Sequence, residues 1–290
     1  MWLNSLIETK KDQFVLHFLN KMIGLFLGST DFPKIILNKI KKKKEKYFII
    51  DLTKNNNFKK DKNSHFISIG KFGQILKLIH QKKCKKVIFA GKIDKPKFSN
   101  LKLDIKGVYY IPRVIRASKL GDAAILKELI KILDENKIKV IKSNFYSPEL
   151  TLIKGIYSKI KPDKYDLINI KIGIKSLNKL NAYNHVQALV VRNNSVLVKE
   201  TSSGTKRMLL SINKTKKKQG ILIKFPKKKQ DLRADIPTVG LDTIKDCKKA
   251  DIKGIVLKAN QNIFLDKKKC IDFVNKNKMF IKTIWKKYLF

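Results

Sequence analysis

The run MIGLFLGSTDFPKIILNKI, residues 22–40, sets the architecture of the first half of the chain. Its opening stretch, Met22 to Gly28, is continuously apolar and reads as a buried strand. Ser29, Thr30 and Asp31 then turn the chain into a helix whose apolar residues recur every three or four positions, with Pro33 near its first turn. Further along, strands are expected at 47–51 (YFIID), 65–69 (HFISI), 86–91 (KVIFAG) and 139–142 (KVIK). Helices are expected from Phe72 to about Gln81 and over 122–137, with Asp122 as the cap of the second. Strands alternating with helices at this spacing predict a parallel sheet covered on both faces, a Rossmann-like domain over residues 22–150.

The texture then changes. Residues 151–163 read as a linker, and a second α/β domain is expected over 164–290, opening with the helical stretch DLINIKIGIKSLNKLNAYN. In VQALVVRNNSVLVKE two β-branched runs flank Asn193-Asn194, a pair that tolerates positive φ, so an antiparallel hairpin is expected. A strand at 220–225, the polar segment QDLRADIPTVG (230–240), a helix to about Ala250, short strands and a helix from Asp266 to Asn277 complete it. The fold class is α/β throughout: a Rossmann-like N-terminal domain with a parallel sheet, then an α/β domain containing an antiparallel hairpin.

Composition narrows the partners. Among 290 residues, 66 Lys and Arg stand against 23 acids, but only five are Arg: Arg113, Arg116, Arg192, Arg207 and Arg233. Base reading and bidentate phosphate clamping draw on the planar guanidinium, whereas Lys is a mobile point charge. With Ile and Asn also plentiful, the excess reads as codon-biased, solvated filler, and the Lys runs at 41–44, 216–218 and 227–229 as solvated loops or helix ends. Nucleic-acid binding is not expected, since no aromatic-studded basic strand accompanies the charge. Cys84, Cys247 and Cys270 form no CxxC pair, and His17, His65, His80 and His185 lack metal-ligand spacing. Both point to a reducing compartment and structural or surface roles. No stretch approaches the ~18 uncharged apolar residues of a membrane span. Residues 1–21 carry acids and Lys among their apolar positions and have no small-residue cleavage site, so they read as an N-terminal extension, not a secretory signal.

Three segments have residues suited to chemistry. The loop GSTDFP (28–33) joins a strand to a helix, where free backbone N–H groups and the helix dipole favour an anion; a simple capped turn explains it equally. AGK (90–92) puts small residues and an ammonium at the carboxyl edge of a parallel strand, though Lys92 also reads as a surface lysine. QDLRADIPTVG gathers Gln230, Asp231, Arg233, Asp235 and Thr238; the two carboxylates suit a shared divalent ion and Arg233 a phosphate beside it, or the segment simply caps the next helix.

Taken in order, IGLFLGSTDFP, GKFGQILKLI, VIFAGKIDKPKF, GDAAILKELI, ALVVRNNSVLVKETSSGT and GILIKFPKKKQDLRADIPTVG resemble the LpxI family of UDP-2,3-diacylglucosamine diphosphatases, over about residues 22–282. The resemblance implies hydrolysis of a pyrophosphate to UMP and 2,3-diacylglucosamine 1-phosphate, with Mg²⁺ or Mn²⁺ as cofactor and attack on the sugar-side phosphorus. It implies that Asp235, in the RxDxP motif, is central to metal-assisted catalysis. Gly28, Ser29, Gly91, Lys92, Gly121, Asp122, Gly204, Thr205, Lys224, Gln230, Arg233 and Thr238 are expected around the substrate. Asp235, with Asp122 or Asp231, is expected to hold the ion, while Lys92, Lys224 and Arg233 stabilise the leaving UMP. The chain departs from the family twice. Gly28-Ser29-Thr30 stands where the family has three glycines, and Ser203-Gly204-Thr205-Lys206 where it has Glu-Gly-Thr-Asp; Glu200 is an acid at the same strand end. A relative that binds the lipid nucleotide without hydrolysing it is therefore the alternative. The expected partners are UDP-2,3-diacylglucosamine and the anionic inner-membrane surface, with a homodimer left open. The expected location is the cytoplasm, peripheral on that membrane.

The formal charge of +43 makes one expectation independent of any site. Association with anionic vesicles weakens as salt rises from low to high, because exposed charges are screened within a Debye length of about 10 Å at 0.1 M. Co-sedimentation across a salt series checks it, and binding that is absent or indifferent to salt contradicts it.

Overall fold

A computed structural model describes residues 22–93, 100–180, 186–213, 219–227 and 230–285. The expected extension at 1–21, His17, His185 and the lysines at 216–218 and 228–229 lie outside the described residues. The chain divides into two compact units. One ends at Ser147 and also takes in Arg233–Asp235; the other comprises Pro148–Leu232 and Ile236 onward.

The first unit is built on β1 (Ile23–Leu27), buried along its whole length between β2 (Tyr47–Asp51) and β4 (Lys86–Ala90), both parallel to it. Adding β3 (Ser64–Phe66) and β5 (Lys139–Val140) gives the order β3-β2-β1-β4-β5. The helices are α1 (Phe32–Lys42), α2 (Phe72–Gln81), α3 (Ile105–Ser118) and α4 (Asp122–Glu135). Burial of side chains such as Ile36, Ile40, Ile75 and Ile79 stabilises this packing by about 1.5–3 kcal/mol each relative to exposure. The parallel Rossmann-like sheet is thus as expected.

Three local expectations are corrected. The strand expected at 65–69 ends at Phe66, on a sheet edge with a single neighbour, and that expected at 139–142 ends at Val140. The cap of α4 is Gly121, at φ 105°, and Asp122 is the first helical residue. Helix α3 carries Pro112 and Gly107, the two residue types that ordinarily argue against a helix. It forms because Asp104 accepts from Gly107 N at 2.7 Å, and because Arg113 bridges Glu128 and Glu135 of α4.

Asp104 serves a second helix as well. Lys71, at the N-cap of α2, supplies no side-chain cap, and the same carboxylate accepts from Gly73 N at 3.0 Å and Gln74 N at 2.9 Å. Burial works against its charge, but these amides outweigh burial and hold the carboxyl below its ordinary value.

The second unit has a six-stranded sheet in the order β6-β13-β11-β9-β7-β8. Its strands are β6 (Gly155–Ile156), β7 (Ala188–Arg192), β8 (Ser195–Lys199), β9 (Gly220–Lys224), β11 (Ile252–Lys258) and β13 (Phe280–Ile284). Strands β9, β11 and β13 are parallel, while β7 and β8 form the antiparallel hairpin, with Asn193 and Asn194 at φ 49° and 59° as a two-residue turn requires. Residues 151–163 carry β6, which pairs with β13. Helix α5 (Lys164–Lys179) opens with a reciprocal capping box between Asp163 and Asp166. Helices α6 (Gly204–Leu210), α7 (Leu241–Lys249) and α8 (Lys267–Lys276) and the short pair β10 (Thr238–Val239) and β12 (Ile263–Phe264) complete the unit. No helix of the described residues is long and apolar enough to cross a membrane.

Replacing Asp104 by Ala removes the side-chain acceptor of two helix starts, so we expect a loss of about 1–3 kcal/mol in denaturant unfolding. Because the folded carboxyl titrates below its unfolded value, its contribution is present above the unfolded value near 4 and is lost as pH falls through the folded one. The gap between parent and Asp104→Ala therefore narrows in acid; a gap constant with pH contradicts this account.

Candidate functional site

In the first unit the sheet winds outward from β1 in both directions, so the strand order reverses between β1 and β4. Ligands of open α/β sheets bind outside the carboxyl ends of the strands at that reversal. The loops following these two strands are GSTD and AGK. Ser29 N donates to Lys92 O at 2.7 Å, and Lys92 N donates to Ser29 O at 3.0 Å, so the loops are bridged backbone to backbone. A Cβ on Gly28 would lie 2.2 Å from Lys92 O; one on Gly91, which is at φ 87°, would lie 2.4 Å from Pro33 Cγ. The glycines are required by the contact of one loop with the other. Four expected site residues, Gly28, Ser29, Gly91 and Lys92, are thereby brought together, with Lys92 exposed beside them. Thr30 is held at φ 94°, a region natural to glycine and strained for a β-branched residue.

Asp51, at the carboxyl end of β2, occupies the place from which dinucleotide-binding domains reach a ribose. It has another use here. Fully buried, its carboxylate accepts from Thr53 N at 2.9 Å, Thr53 Oγ1 at 2.7 Å and Phe58 N at 2.9 Å, which folds the loop after β2.

Arg233–Asp235 belongs to this first unit, although the residues on either side of it belong to the second. Ser143 N donates to Arg233 O at 3.2 Å just beyond β5, and Ala234 packs against the apolar cluster of the sheet. The Arg233 guanidinium stands 3.8 Å from Asp134, a loose and well-exposed pair worth little by itself. Asp235 is half-buried. Gly121 is at the start of α4; the Asp122 side chain lies outside the described residues.

In the second unit the carboxyl end of β9 carries Lys224, buried with Glu200 and Thr205. Lys224 Nζ donates to Thr205 Oγ1 at 2.9 Å, and Thr205 Oγ1 donates to Glu200 Oε1 at 2.6 Å. Asn262 Nδ2 donates to Lys224 O at 3.2 Å, and the neighbouring Ile263 pairs with Thr238. Gln230 folds back to accept from Lys227 N at 2.9 Å, and Asp231 is half-buried. Gly204 starts α6 at φ 85°. Ser203 and Lys206, where the resemblance has acids, are exposed, and Thr201 Oγ1 and Ser203 Oγ share a hydrogen bond at 2.6 Å. Cys247 is wholly buried; burial and then Asp246 push its thiol well up, against the weaker pull of Lys224, so it is no nucleophile.

The expected residues thus fall into two sets. Gly28, Ser29, Gly91, Lys92, Gly121, Asp122, Arg233 and Asp235 belong to the first unit, and Gly204, Thr205, Lys224, Gln230, Asp231 and Thr238 to the second. Among the described residues no three His, Cys, Asp or Glu side chains gather as a metal-binding group. Sequence reasoning missed Asp51 and Asn262. An acid closing an apolar strand was a signal for Asp51, whereas nothing in the local pattern distinguishes Asn262.

The family model "LpxI N-terminal domain" matches residues 22–150, and "LpxI C-terminal domain" matches residues 153–282. A protein of Caulobacter vibrioides named UDP-2,3-diacylglucosamine pyrophosphatase LpxI is 29% identical to the chain over 213 residues, which cover 71% of the chain and 76% of that relative.

The loop contact predicts opposite outcomes for two substitutions. Thr30→Gly relieves strain and raises stability by about 1 kcal/mol or more, whereas Gly91→Ala places a methyl against Pro33 at a positive φ and costs about 2 kcal/mol or more. Urea midpoints compare them, and equal effects would remove the account of the loop.

Proposed function

The chain belongs to the LpxI family, whose two domain models it matches in order, and from that premise we propose that it hydrolyses the pyrophosphate of UDP-2,3-diacylglucosamine. The observation that carries the reading is the switch point: the bridged loops after β1 and β4 set a helix N-terminus and the Lys92 ammonium at the edge where an α/β sheet takes its ligand. Lys92 and Arg233 in the first unit, and separately Lys224 in the second, are cations suited to a group whose cleavage demands charge neutralisation more than covalent help. Asp235 orients the attacking water. The water oxygen bonds to the sugar-side phosphorus as its bond to the bridging oxygen breaks, UMP departs with that oxygen, and the water's proton passes to solvent. The products are UMP and 2,3-diacylglucosamine 1-phosphate.

Mg²⁺ or Mn²⁺ belongs to the proposal. Asp235 offers the hard carboxylate oxygens such an ion takes, and an ion that arrives on phosphates asks only one or two carboxylates of the protein. When bound, it would neutralise phosphate charge. The basic surface suits an enzyme working at the cytoplasmic face of an anionic membrane that contains its lipid substrate. A second reading, binding without hydrolysis, is favoured by Ser203 and Lys206 where the resemblance has acids.

Purified protein incubated with UDP-2,3-diacylglucosamine is expected to release UMP, with more turnover when Mg²⁺ or Mn²⁺ is added. Asp235→Ala, checked for an unchanged melting temperature, is expected to lose about a hundredfold or more in kcat. Tight binding of the lipid nucleotide with no UMP under excess metal selects the second reading. A folded Asp235→Ala that turns over at the parent rate removes Asp235 from the mechanism.

A further inference from the structure

At the carboxyl end of β9 three buried polar side chains form a hydrogen-bond chain whose direction follows from their chemistry. Glu200 is 4% exposed, Lys224 6% and Thr205 8%. An ammonium only donates and an ionised carboxylate only accepts. Thr205 has one hydroxyl proton, so its Oγ1 gives that proton to Glu200 Oε1 and receives a hydrogen bond from Lys224 Nζ. Glu200 Oε2 accepts from Gln187 N at 3.1 Å, so both carboxylate oxygens are engaged by the protein. Thr205 has no proton left for a ligand.

We infer that Glu200 is a positioning residue: acting through Thr205, it holds the Lys224 ammonium fixed at the carboxyl edge of β9 for a phosphate group. The inference rests on the proposed reaction, in which that phosphate belongs to the diphosphate of the substrate. Two effects of Glu200 oppose each other. Its charge repels an incoming phosphate, and it also offsets the desolvation of the buried ammonium. The second prevails, because the carboxylate is one hydroxyl away from Nζ and both its oxygens accept hydrogen bonds from the protein and so face it. Thr205 passes from the set of substrate contacts to the link between two charges, and Asn262 holds the same residue by its main chain.

The test compares the parent with Glu200→Asp and Glu200→Gln, measuring melting temperature, kcat and KM for UMP release. Gln keeps the shape and an acceptor for Thr205 but loses the charge and turns its amide toward Gln187 N, a donor facing a donor; Asp keeps the charge and leaves a methylene-sized void. If Glu200 only packs, activity follows melting temperature. As a positioning residue it separates activity from stability: both variants melt lower, yet Asp keeps kcat within about threefold while Gln loses about tenfold or more in kcat at similar KM. A Gln variant as fast as the parent, or activity that tracks melting temperature, overturns the inference. Should the parent release no UMP, the reaction has failed separately, and titration of the same proteins with inorganic pyrophosphate decides: Gln weaker by about tenfold sustains the inference, whereas equal or tighter binding by Gln, or none by the parent, overturns it.

Discussion

Two backbone hydrogen bonds between Ser29 and Lys92 set the geometry at the switch point of the first unit. They tie together the loops that leave adjacent central strands, and they do so at the one place where the sheet reverses its winding. The tie is close enough to exclude a Cβ at Gly28 and at Gly91. Everything proposed for Lys92 follows from that tie, because a lysine on a free loop would offer only a diffuse charge. Thr30 is the one residue of the turn whose side chain runs against the backbone it occupies. A turn that keeps a glycine-type conformation without a glycine is a turn whose geometry is imposed from outside, by the strands and by the bridge.

The second unit meets a different constraint, that of a cation inside a fold. Lys224 closes a central strand and is covered, so its charge has to be balanced within the protein. Glu200 and Thr205 contribute to this from the segment that follows the hairpin, and Asn262 secures the strand end. The exposed positions 203 and 206 contribute nothing to that balance. Positions 203 and 206 lie on the surface of the segment, while its buried part has a carboxylate in Glu200. The departure from the family pattern at Ser203 and Lys206 is therefore less damaging to this corner than the sequence suggests.

Most of the fold was legible because burial writes itself into the chain as periodicity. IGLFL and YFIID lie wholly or almost wholly in the core, and the Asn193-Asn194 turn is announced by two residues that tolerate positive φ. What escaped was stabilised from a distance. Helix α3 contains Pro112 and Gly107 and is supported by Asp104 and Arg113, the latter paired with residues 15 and 22 positions away. The edge strands β3 and β5 stop early because each has only one neighbour to continue against. The site was legible as a set of residues and not as an arrangement. QDLRADIPTVG reads as one segment, yet Arg233–Asp235 is bound to a different unit from the residues flanking it.

That division follows from where the hydrogen bonds and apolar contacts of the segment go. Ala234 is the only apolar residue between Leu232 and Ile236, and it packs into the first unit's cluster while Ser143 N holds Arg233 O. Two such contacts outweigh chain continuity, since a loop closes at a cost that grows only slowly with its length. Polar residues around Ala234 are therefore displayed by an anchor, not scattered along a mobile connection. The backbone at Asp235 shares this anchor, and the role proposed for its carboxylate is one that orientation held in advance would serve. The Arg233 guanidinium, 3.8 Å from Asp134, is displayed by the same anchor.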